Sequence, residues 1–381
     1  MKSLSDKHLA ALDCLIYSDD FTAEVMNQDN KHIGDIANSL KENSKKRSEL
    51  NENGKASVYA AHMTKREWIE VLDIIAEDET LSSFRISKEA YVDNVSNGFR
   101  AMLVTDPGNK YNNTVIFRGT ASDDQWHDNF SVTYQMAVTP NQHMAKQYVV
   151  GLSLENLVIS GHSKGGNMAE ALAYMLPEGM VHKTLSYDGH RQTTFFLDII
   201  PEHHKTAAAK KAKSINEYRD IVSPLFRQNM DQSNTFYFDS KEDYSLKVTE
   251  GKMYGRIFVP VSKYGAFDFA LYHKPNLFLK EKSEIIKYNP GLFGQITDNI
   301  VDSLMNAEGI SGLITGGLKL GMPEGWTFLE YSASLEADNL YQKMHEKRSL
   351  NLQNHIYARL PPLFSNNHLK DSEVVNGGVI Y

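Results

Sequence analysis

A serine becomes a nucleophile when a turn exposes its hydroxyl, a base takes its proton and an acid orients the base. One stretch of the sequence meets the first condition. It is Gly161-His162-Ser163-Lys164-Gly165, a G-x-S-x-G pattern extended by Gly166. The apolar run Leu157-Val158-Ile159 before it has the length and residue types of a buried strand. After it, Met168, Leu172 and Met175 recur at helical spacing with alanines between them. Strand, glycine turn and helix are the setting of a nucleophile elbow, which lifts the serine hydroxyl above the sheet edge. A chance Gly-Ser loop would explain the motif but not its flanks. Ser163 is the candidate nucleophile.

Base and acid follow from chain order, which in α/β-hydrolases runs Ser, then Asp or Glu, then His. Among the histidines after Ser163, His273 stands in Leu271-Tyr272-His273-Lys274-Pro275, after a strand-rich stretch and just before a proline break. His182 and His190 come too soon, and His203-His204 precedes the acid beside a helix start. For the acid, Asp188, Asp198, Asp220 and Asp239 compete. Asp220 follows a strand-like segment, precedes the turn at Pro224 and leaves room for one βα unit on each side. Asp188, before Gly189, is its main rival. An oxyanion hole needs two preset backbone N–H donors. Lys164 supplies one, its side chain expected in solvent. Thr120, at the end of the strand Asn113 to Phe117, supplies the other, with its hydroxyl as a third donor. This chemistry calls for no cofactor and no metal.

Phe117-Arg118-Gly119-Thr120 with Asp124 and Trp126, then the Gly161 to Gly166 elbow, then Asp220-Ile221-Val222, then His273, resembles the class three lipases. Asn129-Phe130 and Tyr187-Asp188-Gly189 make it most similar to a bacterial branch catalogued as a domain of unknown function. The resemblance covers residues 95–280. It implies an α/β-hydrolase fold, a triad of Ser163, Asp220 and His273, an oxyanion hole at Thr120 and Lys164, and an acyl-ester substrate, a lipid above all. The short interval from Thr120 to Ser163 leaves little space for the lid that fungal members place there. The helical flanks have no counterpart in the resemblance.

The elements that must position these residues are legible from periodicity and caps. Residues 4–18 and 33–49 read as helices, and Thr64 with Glu67 forms a capping box for a helix through Trp68, Leu72 and Ile75. Strands are expected at 98–104 and 113–117 around the turn Asp106-Pro107-Gly108-Asn109, and at 183–187, 214–218, 235–238 and 256–260. Thr139-Pro140 opens a helix over 139–151, and residues 195–213 read as mostly helical. This alternation predicts a mostly parallel central sheet with helices on both faces. Three parts result: a helical N-terminal extension over 1–94 packed on the core, the catalytic domain over 95–280, and a mostly helical C-terminal extension over 281–381 serving as lid or cap. Within the last, 281–287, 297–305 and 332–348 read as helices, and Gly309 to Gly321 is apolar and glycine-rich.

With 381 residues and 41% hydrophobic content the chain can bury a large core. A net charge of −8 and the lack of a long basic run argue against a nucleic-acid partner. The single cysteine, Cys14, rules out an intramolecular disulfide and fits the apolar pattern of a core thiol. No signal peptide and no membrane span is read, so a cytoplasmic location is the default, with export by a route that cleaves no signal as the alternative. The expected partners are a lipid or other acyl ester, the membrane surface peripherally, and a protein docking on the helical extensions. The expected function is a serine esterase of the lipase or phospholipase kind. Its alternatives are a lipase-type antibacterial or host-directed effector, a soluble thioesterase or amidase, and a non-catalytic binding module on the same fold.

Overall fold

A computed structural model describes residues 1–27, 29–46, 63–94, 98–120, 137–217, 220, 222–223, 234–240, 250–254, 257–261, 272–280, 284–287, 374–375 and 378–379. The expected helices over 297–305 and 332–348, the glycine-rich segment and the Asp124 to Phe130 motif lie outside these residues.

The centre is a nine-stranded sheet in the order β1-β2-β3-β4-β5-β6-β7-β8-β11. Its strands are β1 (Lys31–His32), β2 (Arg85–Asn94), β3 (Phe99–Thr105), β4 (Thr114–Phe117), β5 (Leu157–His162), β6 (Val181–Tyr187), β7 (Ala212–Glu217), β8 (Thr235–Asp239) and β11 (Glu284–Lys287). Strands β4 to β8 run parallel. β1, β2 and β3 add antiparallel pairs at one edge, and β11 closes the other edge antiparallel to β8. This is the α/β-hydrolase architecture that the motif order implies.

Side chains on β5 alternate between the two faces, as strand pleating requires. Val158 joins Leu9, Leu12, Leu15 and Ile16 of the N-terminal segment, with Leu185, Ile215 and Phe238 of neighbouring strands. Leu157 and Ile159 join Tyr148 and Val149 of helix α6 (Pro140–Leu152) and Met168 and Leu172 of helix α7 (Lys164–Met175). Each fully buried aliphatic side chain contributes about 1.5–3 kcal/mol. The N-terminal face is covered by α1 (Asp6–Leu15), α2 (Asp19–Asn27), α3 (Ile33–Lys46), α4 (Lys65–Glu77) and α5 (Glu79–Ser83). α8 (Thr194–Ile199) and α9 (Glu202–Lys211) link β6 to β7.

The capping box predicted at Thr64 forms, and the predicted cap at Thr139 forms as a second capping box. Thr64 and Glu67 close the start of α4, and Thr139 and Gln142 close the start of α6 with Pro140 in its first turn. Three features differ from expectation. Glu284–Lys287 lies inside the stretch expected to be helical but forms β11, pairing Ile285 with Phe238 and Ile286 with Tyr237. Four residues are too few to carry a helical period, and the open hydrogen-bonding edge of β8 settles the choice. The strand expected at 256–260 exists as β10 (Ile257–Val261), but it pairs only with β9 (Glu250–Tyr254) in a separate hairpin. Strand β2 is absent from the expected elements because Lys88 and Glu89, at an irregularity in its pairing with β3, and Asp93 beyond it break the apolar pattern. Cys14 is fully buried, as its apolar setting suggests.

Candidate active site

Ser163 directly follows β5 and caps α7 with φ 59° and ψ −127°, a conformation that non-glycine residues rarely adopt. Its N–H donates to the Tyr187 carbonyl at 2.8 Å, which fixes the turn against β6. Two glycines make the turn sterically feasible. A Cβ on Gly161 would stand 2.3 Å from the Gly165 carbonyl carbon, and one on Gly165 would stand 2.2 Å from the Phe117 carbonyl oxygen. Helix and strand therefore meet backbone to backbone, as a nucleophile elbow requires. The Ser163 hydroxyl is buried and makes no hydrogen bond among the described residues. A buried hydroxyl in that state lacks the partner such groups normally have, a frequent mark of a reactive site.

His273 and Asp220 meet in three dimensions although 53 residues separate them. His273 Nδ1 lies 2.9 Å from Asp220 Oδ1, both groups buried. Asp220 Oδ2 accepts from the Ser223 N–H at 2.7 Å, which sets the plane of the carboxylate. A carboxylate only accepts, so the proton sits on Nδ1 and the neutral ring keeps its basic lone pair on Nε2. The His162 ring, one residue before Ser163, lies 4.7 Å from the His273 ring, centroid to centroid. His273 and the elbow therefore share one end of the sheet.

Asp188, the rival acid, also faces this cluster. It holds a positive φ of 45° at the end of β6, and its Oδ1 accepts from the Glu217 N–H at 2.5 Å. Burial first, then the charge of Asp220, raises its pKa well above the carboxylate range and keeps it protonated. His162, Asp188 and His273 each bring one donor atom within 4.8 Å of the others. Burial, with His273 as neighbour, lowers the His162 pKa far below the usual imidazole range.

Thr120 is buried and follows Gly119, where an added Cβ would come within 3.0 Å of the Ser163 Cβ. The strand end that carries Thr120 thus abuts the elbow. The Lys164 side chain is not in solvent, contrary to expectation. It is buried, and burial together with the Arg118 guanidinium lowers its pKa to about 7.

The site leans on residues that local sequence does not reveal. Tyr17 Oη bonds His162 Nδ1 at 2.8 Å, and Asp13 Oδ2 accepts from Ser160 Oγ at 2.8 Å. Glu67 holds Lys274, beside His273, at 3.1 Å, and Lys280 at 3.7 Å. The Tyr17, Asp13 and Lys274 contacts span 145, 147 and 207 residues, so periodicity and motif spacing carry no trace of them. Only the capping role of Glu67 was readable.

Residues 78–233 match a family model described as Mbeg1-like, and that span holds the elbow and Asp220. No curated protein matches. Among solved structures, the chain is similar to M37 lipase at 14% identity, covering 59% of this chain and 71% of that one, with a TM-score of 0.34. It is similar to Rhizomucor miehei lipase in a propeptide complex at 18% identity, covering 43% and 58% of the two chains, with a TM-score of 0.28. A triacylglycerol lipase from Penicillium expansum gives 13% identity, coverage of 42% and 71%, and a TM-score of 0.28. Among the described residues, no helix is long and apolar enough to cross a membrane.

Proposed function

We propose that the protein is a serine hydrolase of carboxylic esters, with lipid esters as the substrate class. Ser163 attacks the ester carbonyl while His273 takes its proton at Nε2. Asp220 stabilises the imidazolium that forms. The N–H groups of Lys164 and Thr120 meet the negative charge on the tetrahedral intermediate, helped by the N-terminal end of α7. His273 then protonates the departing alcohol, and a water activated by the same ring releases the acid. The buried Asp220–His273 pair at 2.9 Å, at the end of the sheet that carries the strained Ser163 turn, is the observation that carries this reading.

Labelling with a fluorophosphonate probe tests it. The wild-type chain should take up the probe at one site, and Ser163→Ala should take up none while keeping its circular dichroism spectrum. Absent wild-type labelling, or labelling that survives in Ser163→Ala, would overturn the assignment. Comparing a long-chain oxygen ester with its thioester and amide analogues fixes the substrate class. Preference for the thioester or amide would replace the lipid reading.

A further inference from the structure

We infer that Tyr17 is a positioning residue for the chemistry at Ser163, its hydroxyl tying His162 of the elbow to Gly119 of the oxyanion strand end. The inference rests on the function proposed above for this site.

Tyr17 is held from behind. Arg100 of β3 donates through Nη1 to the carbonyls of Ile16, Tyr17 and Ser18, just past the end of α1, at 3.2, 3.3 and 3.4 Å. Arg100 is itself fixed by Asp93 at 2.9 Å and Asp19 at 2.7 Å. The Asp13–Ser160 bond pins the preceding turn of α1 to β5. A phenol mounted on so constrained a backbone has little freedom to move.

Its oxygen stands where three parts of the site converge. It lies 2.8 Å from His162 Nδ1 and 3.5 Å from the His162 carbonyl. A Cβ on Gly119 would come 2.2 Å from it, so any larger residue would displace either the phenol or the loop before Thr120. The buried phenol keeps its proton. That proton has one well-placed acceptor, the Nδ1 lone pair of a neutral His162, which leaves the ring proton of His162 on Nε2. A neutral His162 beside His273 adds no positive charge to oppose the imidazolium that the reaction forms there. Without the hydroxyl, His162 loses the partner that sets its tautomer, and the elbow loses its link to the oxyanion strand end. A displacement of about 1 Å at such a site can cost on the order of 100-fold in rate.

Two measurements test the inference, the first without a variant. Imidazole nitrogen NMR of the wild-type chain should show His162 as the Nε2–H tautomer; the Nδ1–H tautomer would overturn the assignment even if the protein has no esterase activity. In the second, Tyr17→Phe should lower kcat on a short soluble ester by roughly 10- to 100-fold, with KM within about twofold of wild type. The same change in a His162→Asn background should have little further effect, since the two residues act as one unit. Wild-type kcat in Tyr17→Phe, or a full additional loss in the double variant, would overturn the inference while leaving Ser163 labelling, and the proposed function, intact.

Discussion

Asp188 and Asp220 stand close enough for the charge of one to raise the proton affinity of the other, yet their environments set different roles. Asp220 is anchored by the Ser223 N–H and faces His273 Nδ1, whereas Asp188 is turned onto the Glu217 N–H and kept neutral. Asp220→Asn replaces an acceptor-only carboxylate by an amide that can donate to Nδ1 and hold His273 in the wrong tautomer, and it should lower kcat by about 10⁴-fold. Asp188→Asn replaces a neutral acid by a neutral amide that can still accept from Glu217, so kcat should stay within about tenfold. Steady-state kinetics on one soluble ester decides, and the reverse ranking would make Asp188 the orienting acid. Lys164 offers a second test at this scale. Its pKa of about 7 in the fold, against about 10.4 in the open chain, means that folding becomes more favourable as pH rises from 7 towards 10. Lys164→Met keeps the N–H donor and removes the buried charge. It should raise Tm more at pH 6 than at pH 9, and an equal gain at both would show that the ammonium is not desolvated.

Elements whose ends carry their own chemistry were the readable ones. Thr64 with Glu67 and Thr139 with Pro140 announce α4 and α6, and the Gly161 to Gly166 turn announces the elbow, because a cap or a tight turn is satisfied within a few residues. The proposed triad of Ser163, Asp220 and His273 was chosen for a related reason: each sits at the end of an element or just beyond it, where chain order restricts the choice. What stayed hidden is settled across the fold. β2 pairs despite a polar pattern, β11 takes a vacant edge, and Tyr17 meets His162 only because α1 packs on β5. Glu67 shows both kinds of information in one side chain. It completes a local cap, and from there it reaches Lys274 in the loop that carries His273. Glu67→Gln should keep the cap, since glutamine also closes a capping box. It replaces the carboxylate that holds the buried Lys274 ammonium by a neutral amide, which weakens a charge-assisted bond worth about 1.5–3 kcal/mol and loosens the His273 loop. The expected result is a lower Tm together with a lower kcat, with the far-ultraviolet spectrum unchanged. A drop in Tm with full kcat would mean that the anchor serves stability alone.

Over the whole molecule, the two faces of the sheet are buried by different parts of the chain, and the site's support comes mostly from the N-terminal side. Two buried groups, Asp13 of α1 and His190 of the loop after β6, have their protonation set by burial, and they respond to acid with opposite signs. His190 is buried, and burial lowers its pKa to about 4. Between the open-chain value of about 6.5 and that figure the unfolded chain binds a proton the fold refuses, so stability falls as pH falls, by about 3 kcal/mol for this residue. Asp13 is the opposite case: burial raises its pKa well above the carboxylate range. The fold then holds a proton that the unfolded chain releases above about pH 4, so Asp13 favours folding more as pH drops towards 4. Urea unfolding at pH 7 and pH 4.5 separates the two contributions by difference. His190→Gln should shrink the stability lost between those pH values, because the refusing imidazole is gone. Asp13→Asn should enlarge it, because the group that opposed the loss is gone while an amide can still bond Ser160. Changes of the same sign in both variants would contradict the buried protonation states that the fold assigns to α1 and to the loop after β6.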